Sequence, residues 1–403
     1  MLHHTTMHRW LAVFFFVASL TYLVGVWRVG STVWGDSIYY YAYTRSLVMD
    51  FDVDFANESI EPSLSFPNQP VLYPQTQRIV NTFSPGTGLL WIPAFILGQI
   101  VTHVLSGIGA SVLTNGYSLV TQVMVGLGAV GFGVLGVYFC LHGLRSFFSE
   151  KIAIVTIISL LLTTQLFYYI LLDPLNSHTA SFLFASLSFF LWGEIWNNRI
   201  ITWKQAFGLG ASLGMLGLVR NQDVLTGVIL LGSLLFRISS KLSTLKKISL
   251  AVGSAVAIGS TQLITSWILF QSWQSPYILS GQSLSWLAPD FTRVLFSSGN
   301  GFFRYAPTAV ICLAGLFILA KTKRWLAVIC LLVFLAQLYV IASWGPEIVG
   351  GPYGSRMFVG TLPFLSVGLA QVLTTVKNRL IIFMTAILFA WNLYQIGVML
   401  VRW

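Results

Sequence analysis

Long apolar runs broken by short polar turns fill most of the chain. A helix needs about 20 residues to cross a hydrocarbon core. At that length the runs predict spans near 10–28, 117–141, 152–171, 179–196, 204–219, 223–238, 248–270, 304–320, 325–342, 357–375 and 380–400. Lipid offers the backbone no hydrogen bonds, so each run is expected to be helical. One more apolar stretch, about 87–106, is ambiguous, and its assignment sets the side of every later loop.

Charge decides the ambiguity. If 87–106 does not cross, the turns carrying Arg145/Lys151, Arg199/Lys204, Arg237/Lys241/Lys246/Lys247, Lys321/Lys323/Arg324 and Lys377/Arg379 share one side with Arg9. That side then holds 14 of the 22 basic residues. The other side holds Asp36, Asp50, Asp52, Asp54, Glu58, Glu61, Asp173, Asp223, Asp290 and Glu347, which are 10 of the 12 acids. A crossing at 87–106 would scatter this pattern, and basic residues mark the cytoplasmic side. Ser84-Pro85 also suits a helix start, a cap followed by proline in the first turn. The expectation is an all-α polytopic membrane protein with about eleven transmembrane helices. Its residues 1–403 form one membrane-embedded domain, with a large first extracytoplasmic loop, about 29–116, carrying surface helices. The N-terminus is expected in the cytoplasm, and the first run is read as an uncleaved anchor.

Composition agrees: 56% of the 403 residues are hydrophobic and 8% charged, against about a quarter charged in a soluble domain. The net charge of +10 belongs to turns between spans, so nucleic acid is not an expected partner. Cys140, Cys312 and Cys330 sit in apolar runs and do not suggest a disulfide framework. The histidines are scattered, with no zinc-binding spacing. There is no phosphate-binding glycine loop and no cytoplasmic domain for a nucleotide substrate.

Five polar clusters remain. Trp34-Gly35-Asp36-Ser37 leads into Tyr39-Tyr40-Tyr41 directly after the first span. Asp36 can cap a helix there, or act as a general base held at the interface. Tyr39 and Tyr40 can pack in an aromatic belt or line a substrate site. Asp50, Asp52 and Asp54 have a spacing that can hold a divalent cation, or are loop acids in water. Ser177-His178 and Arg220-Asn221-Gln222-Asp223 lie at the outer ends of spans. Gly350-Gly351-Pro352-Tyr353-Gly354-Ser355-Arg356 ends on an arginine where the chain re-enters the membrane. A guanidinium there suits a phosphate at head-group depth, and Arg304 is placed for the same work.

These motifs, in this order, resemble the GT-C class of membrane glycosyltransferases, in particular bacterial members related to protein O-mannosyltransferases and the lipid A aminoarabinose transferase. Ser84-Pro85-Gly86-Thr87-Gly88-Leu89-Leu90-Trp91 is similar to that class's surface helix. Ser37 stands where many members carry a second acid. The resemblance implies an enzyme of the bacterial inner membrane, with an extracytoplasmic active site, that moves a sugar from a polyprenyl-phosphate donor to a hydroxyl of a glycan, lipid or protein, with inversion. It implies Asp36 as base, Arg356, Arg220 and Arg304 at the donor phosphate, and Tyr39, Tyr40, His178 and Tyr353 as substrate-binding residues. No cofactor is expected beyond the divalent cation that the aspartates could hold. The alternatives are a transporter or flippase for a lipid-linked sugar, and a polysaccharide polymerase or ligase.

Overall fold

The computed structural model describes residues 2–64, 71–237, 242–344, 351 and 353–402. Lys241, Glu347, Gly350 and Pro352, named above, lie outside the described residues. The helices are α1 (Leu2–Val29), α2 (Asp36–Arg45), α3 (Ala56–Ser59), α4 (Gly86–Gly107), α5 (Leu119–Arg145), α6 (Glu150–Thr163), α7 (Leu166–Leu171), α8 (Ser177–Asn198), α9 (Trp203–Val219), α10 (Val224–Arg237), α11 (Leu242–Gly259) and α12 (Thr261–Phe270). They continue as α13 (Pro276–Leu279), α14 (Phe291–Phe296), α15 (Phe302–Tyr305), α16 (Thr308–Leu319), α17 (Arg324–Ser343), α18 (Leu362–Thr375) and α19 (Asn378–Arg402). Among the described residues the extended pairing amounts to two isolated bridges.

Eight of these segments are long and apolar enough to cross a membrane: Arg9–Val29, Gly86–Gly107, Leu119–Arg145, Ser177–Asn198, Leu242–Phe270, Arg324–Ser343, Arg356–Thr375 and Arg379–Val401. By that measure the described residues do not reach eleven. Three of the expected spans are helices of 14, 17 and 14 residues, α6, α9 and α10. A fourth, α16, has 12. Chain breaks cut them short: α6 stops at Thr163, and α9 ends where Arg220 turns extended.

Side-chain size sets the packing. Lipid gives no hydrophobic reason for helices to associate, so close approach through small residues must do it. On α5, Gly133 faces Thr179, Gly136 faces Phe182 and Gly143 faces Phe189, so α5 and α8 run parallel. Gly210 of α9 meets Ala251 and Ser254 of α11. Gly315 of α16 lies directly on Gly368 of α18, backbone against backbone. The outer faces of α1 and α19 stay apolar and exposed, as at Phe16 and Ile382.

The α4 helix is long enough to cross, yet both its ends meet the same half of the bundle. Gly86 abuts Leu218 and Val219 at the end of α9, while Thr102 bonds Ser118 and Thr121 at the start of α5. Ser188 and Ser212 pair across antiparallel α8 and α9, so those two ends share a side. The helix lies obliquely in that half, beside Tyr40 and Tyr43 of α2. At the opposite end the basic turns converge: Arg145 approaches Glu150, Asn197 donates to the Ser146 carbonyl and Lys323 donates to the Phe147 carbonyl.

The segment between α2 and α4 is anchored by Arg45. It pairs with Asp50 and with fully buried Glu58, 3.0 Å away, and stacks on Tyr117. Burial lifts the Glu58 carboxyl from 4.5 to about 7, against the opposing pull of Arg45. The folded chain therefore holds that proton more tightly than the unfolded chain does. Its contribution to stability is present below pH 4.5 and is lost as pH rises through about 7.

Two outcomes follow from this packing. Gly315→Ala should lower the melting temperature of purified protein by several degrees, whereas Gly253→Ala, with open space around it, should leave it nearly unchanged. Between about pH 5 and pH 8, Glu58→Gln should lose less melting temperature than the parent. An equal loss in both would show that Glu58 does not carry the pH dependence.

Candidate active site

The alternation of helices brings Asp36, His178, Arg220 and Arg356 to one end of the bundle, around a cavity of about 690 Å³. Each is set there by a chain break. Gly35 turns with φ 58°, which brings Asp36 into the first turn of α2. His178 is in the first turn of α8, capped by Asn176, whose Oδ1 accepts from the His178 and Thr179 amides. Arg220 ends α9. Arg356 begins a 3₁₀ turn, Arg356–Thr361, that leads into α18.

Asp36 and Arg356 meet directly: Oδ2 lies 2.8 Å from the guanidinium, with the side chains 32% and 17% exposed. On the opposite wall Arg220 donates to Ser177 Oγ at 3.0 Å and lies 2.9 Å from His178 Nδ1. Arginine cannot accept, so Nδ1 is the acceptor and the ring carries its proton on Nε2. The Arg220 Nε is buried without a partner. Gln222 and Gln337 bond reciprocally, each side-chain amide donating to the other residue's oxygen, and close the floor between α9 and α17.

Aromatic rings complete the wall. Tyr39 stacks on Phe83 at 4.8 Å, and Tyr40 meets Phe83 and Trp91 edge-on. Both tyrosines line the cavity. Beyond them the 271–303 segment folds over the opening. Tyr277 packs against Trp344, and Ser285 donates to the Ser343 carbonyl at 2.7 Å.

Tyr353 and Arg304 do not line the cavity. Tyr353 is buried, stacked on Tyr168 at 4.9 Å, with its hydroxyl donating to Asn392. Arg304 is exposed on α15, where its carbonyl accepts from Trp391 Nε1. The three loop aspartates also go elsewhere. Asp50 engages Arg45 and Asn57, Asp52 accepts from Ser46 and the Asp54 amide, and Asp54 accepts from the Ala56 amide. Among the described residues, no three His, Cys, Asp or Glu side chains are grouped to hold a metal ion.

The structure adds Asp173, between α7 and α8. Burial raises its carboxyl to about 7; the Arg356 charge works against this and Asp36 with it. In the sequence it stood only as one of the ten acids on one side, with nothing tying it to residues 36 and 356.

Behind Arg356 lies a largely buried polar network. The carbonyls of Leu162 and Thr164, freed where α6 breaks from α7, accept from Asn392 Nδ2 of α19 at 2.7 and 3.0 Å. Gln165 donates to the Ser355 carbonyl and Tyr169 to the Tyr353 carbonyl. The segment that presents Arg356 is thus fixed to a broken helix by side chains that satisfy the break.

In fold the chain is similar to two solved structures. ArnT from Cupriavidus metallidurans in the apo state is similar with TM-score 0.52 and 14% identity, over 93% of this chain and 61% of that one. The Archaeoglobus fulgidus oligosaccharyltransferase in the apo form is similar with TM-score 0.55 and 12% identity, over 97% of this chain and 55% of that one. The chain therefore spans little more than half the length of either. No family model and no curated protein matches it.

Asn392→Leu would take the side-chain donor from the Leu162 carbonyl and leave the Thr164 carbonyl with the Phe167 amide alone at 3.3 Å, where an unsatisfied buried group costs about 1–3 kcal/mol. It should lower the melting temperature well below that of Tyr353→Phe, which leaves those two bonds intact. Equal effects of the two substitutions would show that the break is not held by Asn392.

Proposed function

We infer that the chain is a glycosyltransferase that moves a sugar from a polyprenyl-phosphate donor to an acceptor hydroxyl at the acid-rich, extracytoplasmic end of the bundle. The observation that carries this reading is the Asp36–Arg356 pair in the wall of a sugar-sized cavity that also holds Arg220 and His178. The likeness in fold to ArnT and to an oligosaccharyltransferase agrees with it.

In the proposed reaction the donor phosphate replaces Asp36 as the partner of Arg356. Asp36, released, accepts the proton of the acceptor hydroxyl as that oxygen attacks the anomeric carbon. The bond from that carbon to the phosphate oxygen breaks with its electron pair left on the phosphate, and attack from the opposite face inverts the centre. Arg356 and Arg220 neutralise the charge that grows on the leaving group, where fixed donors are most effective. His178 offers its Nε2–H to the same phosphate. Tyr39 and Tyr40 flank the sugar. Glycan, lipid and protein hydroxyls are all chemically competent acceptors.

Asp36→Asn keeps the shape and removes the base. At matched expression it should lower sugar transfer in membranes by about 10²–10⁴-fold. Arg356→Ala should act on both donor binding and turnover. Normal transfer by Asp36→Asn would exclude the reading. Movement of a labelled lipid-linked sugar across vesicles, with no transfer, would favour a flippase.

A further inference from the structure

The end of the bundle opposite the candidate active site carries a second cavity, of about 460 Å³, whose charged lining among the described residues is Arg237, Lys323 and Arg324, with Glu194 behind Ser146 at 3.0 Å. It shares Trp196, Arg237 and Trp325 with an apolar groove of about 550 Å³ between α10 and α17. Phe236 and Trp325 stand 95% and 63% exposed at the junction. The groove reaches Val228 on one wall and Leu332 on the other. It therefore follows each helix for some eight residues, roughly 12 Å into the apolar layer.

We propose that this paired feature is a binding site for an anionic phospholipid of the leaflet at the basic end, with its phosphate among Arg237, Lys323 and Arg324 and one acyl chain in the α10–α17 groove.

Three observations converge on that occupant. First, the described lining holds three cations against the single acid behind Ser146, and a basic pocket between membrane helices selects anionic head groups. Second, the guanidinium of Arg237 is held over Trp196 at 4.6 Å, while its Nε is buried without a partner. A donor left unsatisfied at the mouth of a basic cavity is suited to an anionic oxygen. Third, the cations lie where the apolar groove begins, so the site has the amphipathic shape of a lipid and not of a free ion. Gly232 leaves the groove open, since nothing approaches the place of its missing Cβ. The site is separate from the proposed donor cavity, with which it shares no lining residue.

The test is binding of phosphatidylglycerol to purified, delipidated full-length protein, measured by native mass spectrometry and by thermal stabilisation. Phosphatidylcholine, inorganic phosphate and short-chain dihexanoyl phosphatidylglycerol serve as comparisons. Phosphatidylglycerol should bind and stabilise. The triple variant Arg237→Gln, Lys323→Gln, Arg324→Gln should bind it roughly 10- to 100-fold more weakly. Gly232→Leu, which fills the groove and leaves the cations intact, should weaken long-chain lipid more than the short-chain form. Arg379→Gln, at the same end but outside the cavity, should bind as the parent does. The proposal is overturned if the triple variant keeps full stabilisation, if phosphatidylcholine stabilises equally, or if inorganic phosphate alone reproduces the effect.

Discussion

The ion pair between Asp36 and Arg356 joins a residue just after the first helix to one that opens the penultimate helix. Neither charge is cheap to hold there. Both are partly withdrawn from water, and mutual attraction offsets that cost only in good geometry. The pair is therefore a poor source of net stability. In the proposed reaction its value lies in being exchangeable: Asp36 holds Arg356 at the cavity wall, and a donor phosphate would offer the arginine an equivalent partner. The same exchange would free the carboxylate at the moment an acceptor hydroxyl has something to attack.

An exchangeable pair works only if its backbone does not move with it. That explains the buried polar network behind Arg356. A helix break within an apolar bundle leaves carbonyls that lipid cannot satisfy. Here Asn392 satisfies two of them, and the bond from Tyr353 to Asn392 passes the constraint on to the arginine segment. On the other side Gly354 takes φ 62° against the Tyr305 side chain, and Ser355 bonds back to the 294–300 region. Arg220 is held in a different way, by Ser177 and the imidazole of His178, so the two cations can respond to a ligand independently.

Much of this was legible in the sequence because lipid simplifies the code. Apolar length gives helices, and the charge census gives two unlike ends; the basic turns at 145–150, 196–199 and 321–324 do converge. Asp36, Tyr39, Tyr40, His178, Arg220 and Arg356 could be gathered on one side by counting spans, and they line one cavity. The number of crossings was less legible. A run of twenty apolar residues such as 152–171 does not reveal the break at Thr164 that leaves α6 with 14 residues. Tyr353 was marked by its place beside Arg356, but distance along the chain says nothing of direction: it points into the core toward Asn392. Asp173 was counted only among the acids of one side, since nothing along the chain reveals that it is buried within reach of the Arg356 and Asp36 charges.

Charge bookkeeping in the cavity gives the proposed chemistry a further constraint. Among the residues that line it, the ionised groups are Asp36, Arg220 and Arg356, with His178 neutral as the acceptor of the Arg220 bond. The described residues of the wall carry one net positive charge. A sugar joined to a lipid through phosphate is a diester with one negative charge, so the loaded cavity is neutral. After transfer the lipid phosphate is a monoester, whose second ionisation near pH 6 leaves it close to doubly charged. Asp36 has by then taken up a proton, and the wall has become doubly positive. Substrate and product states are both balanced without a proton entering from outside, which matters in a site of low dielectric where an unbalanced charge is costly. Asp36→Asn would hold the wall at two positive charges throughout. It would bind the spent lipid phosphate about as well as the protonated parent does, while lacking the group that receives the proton. In that variant, product affinity and turnover should separate, which distinguishes loss of the base from collapse of the site.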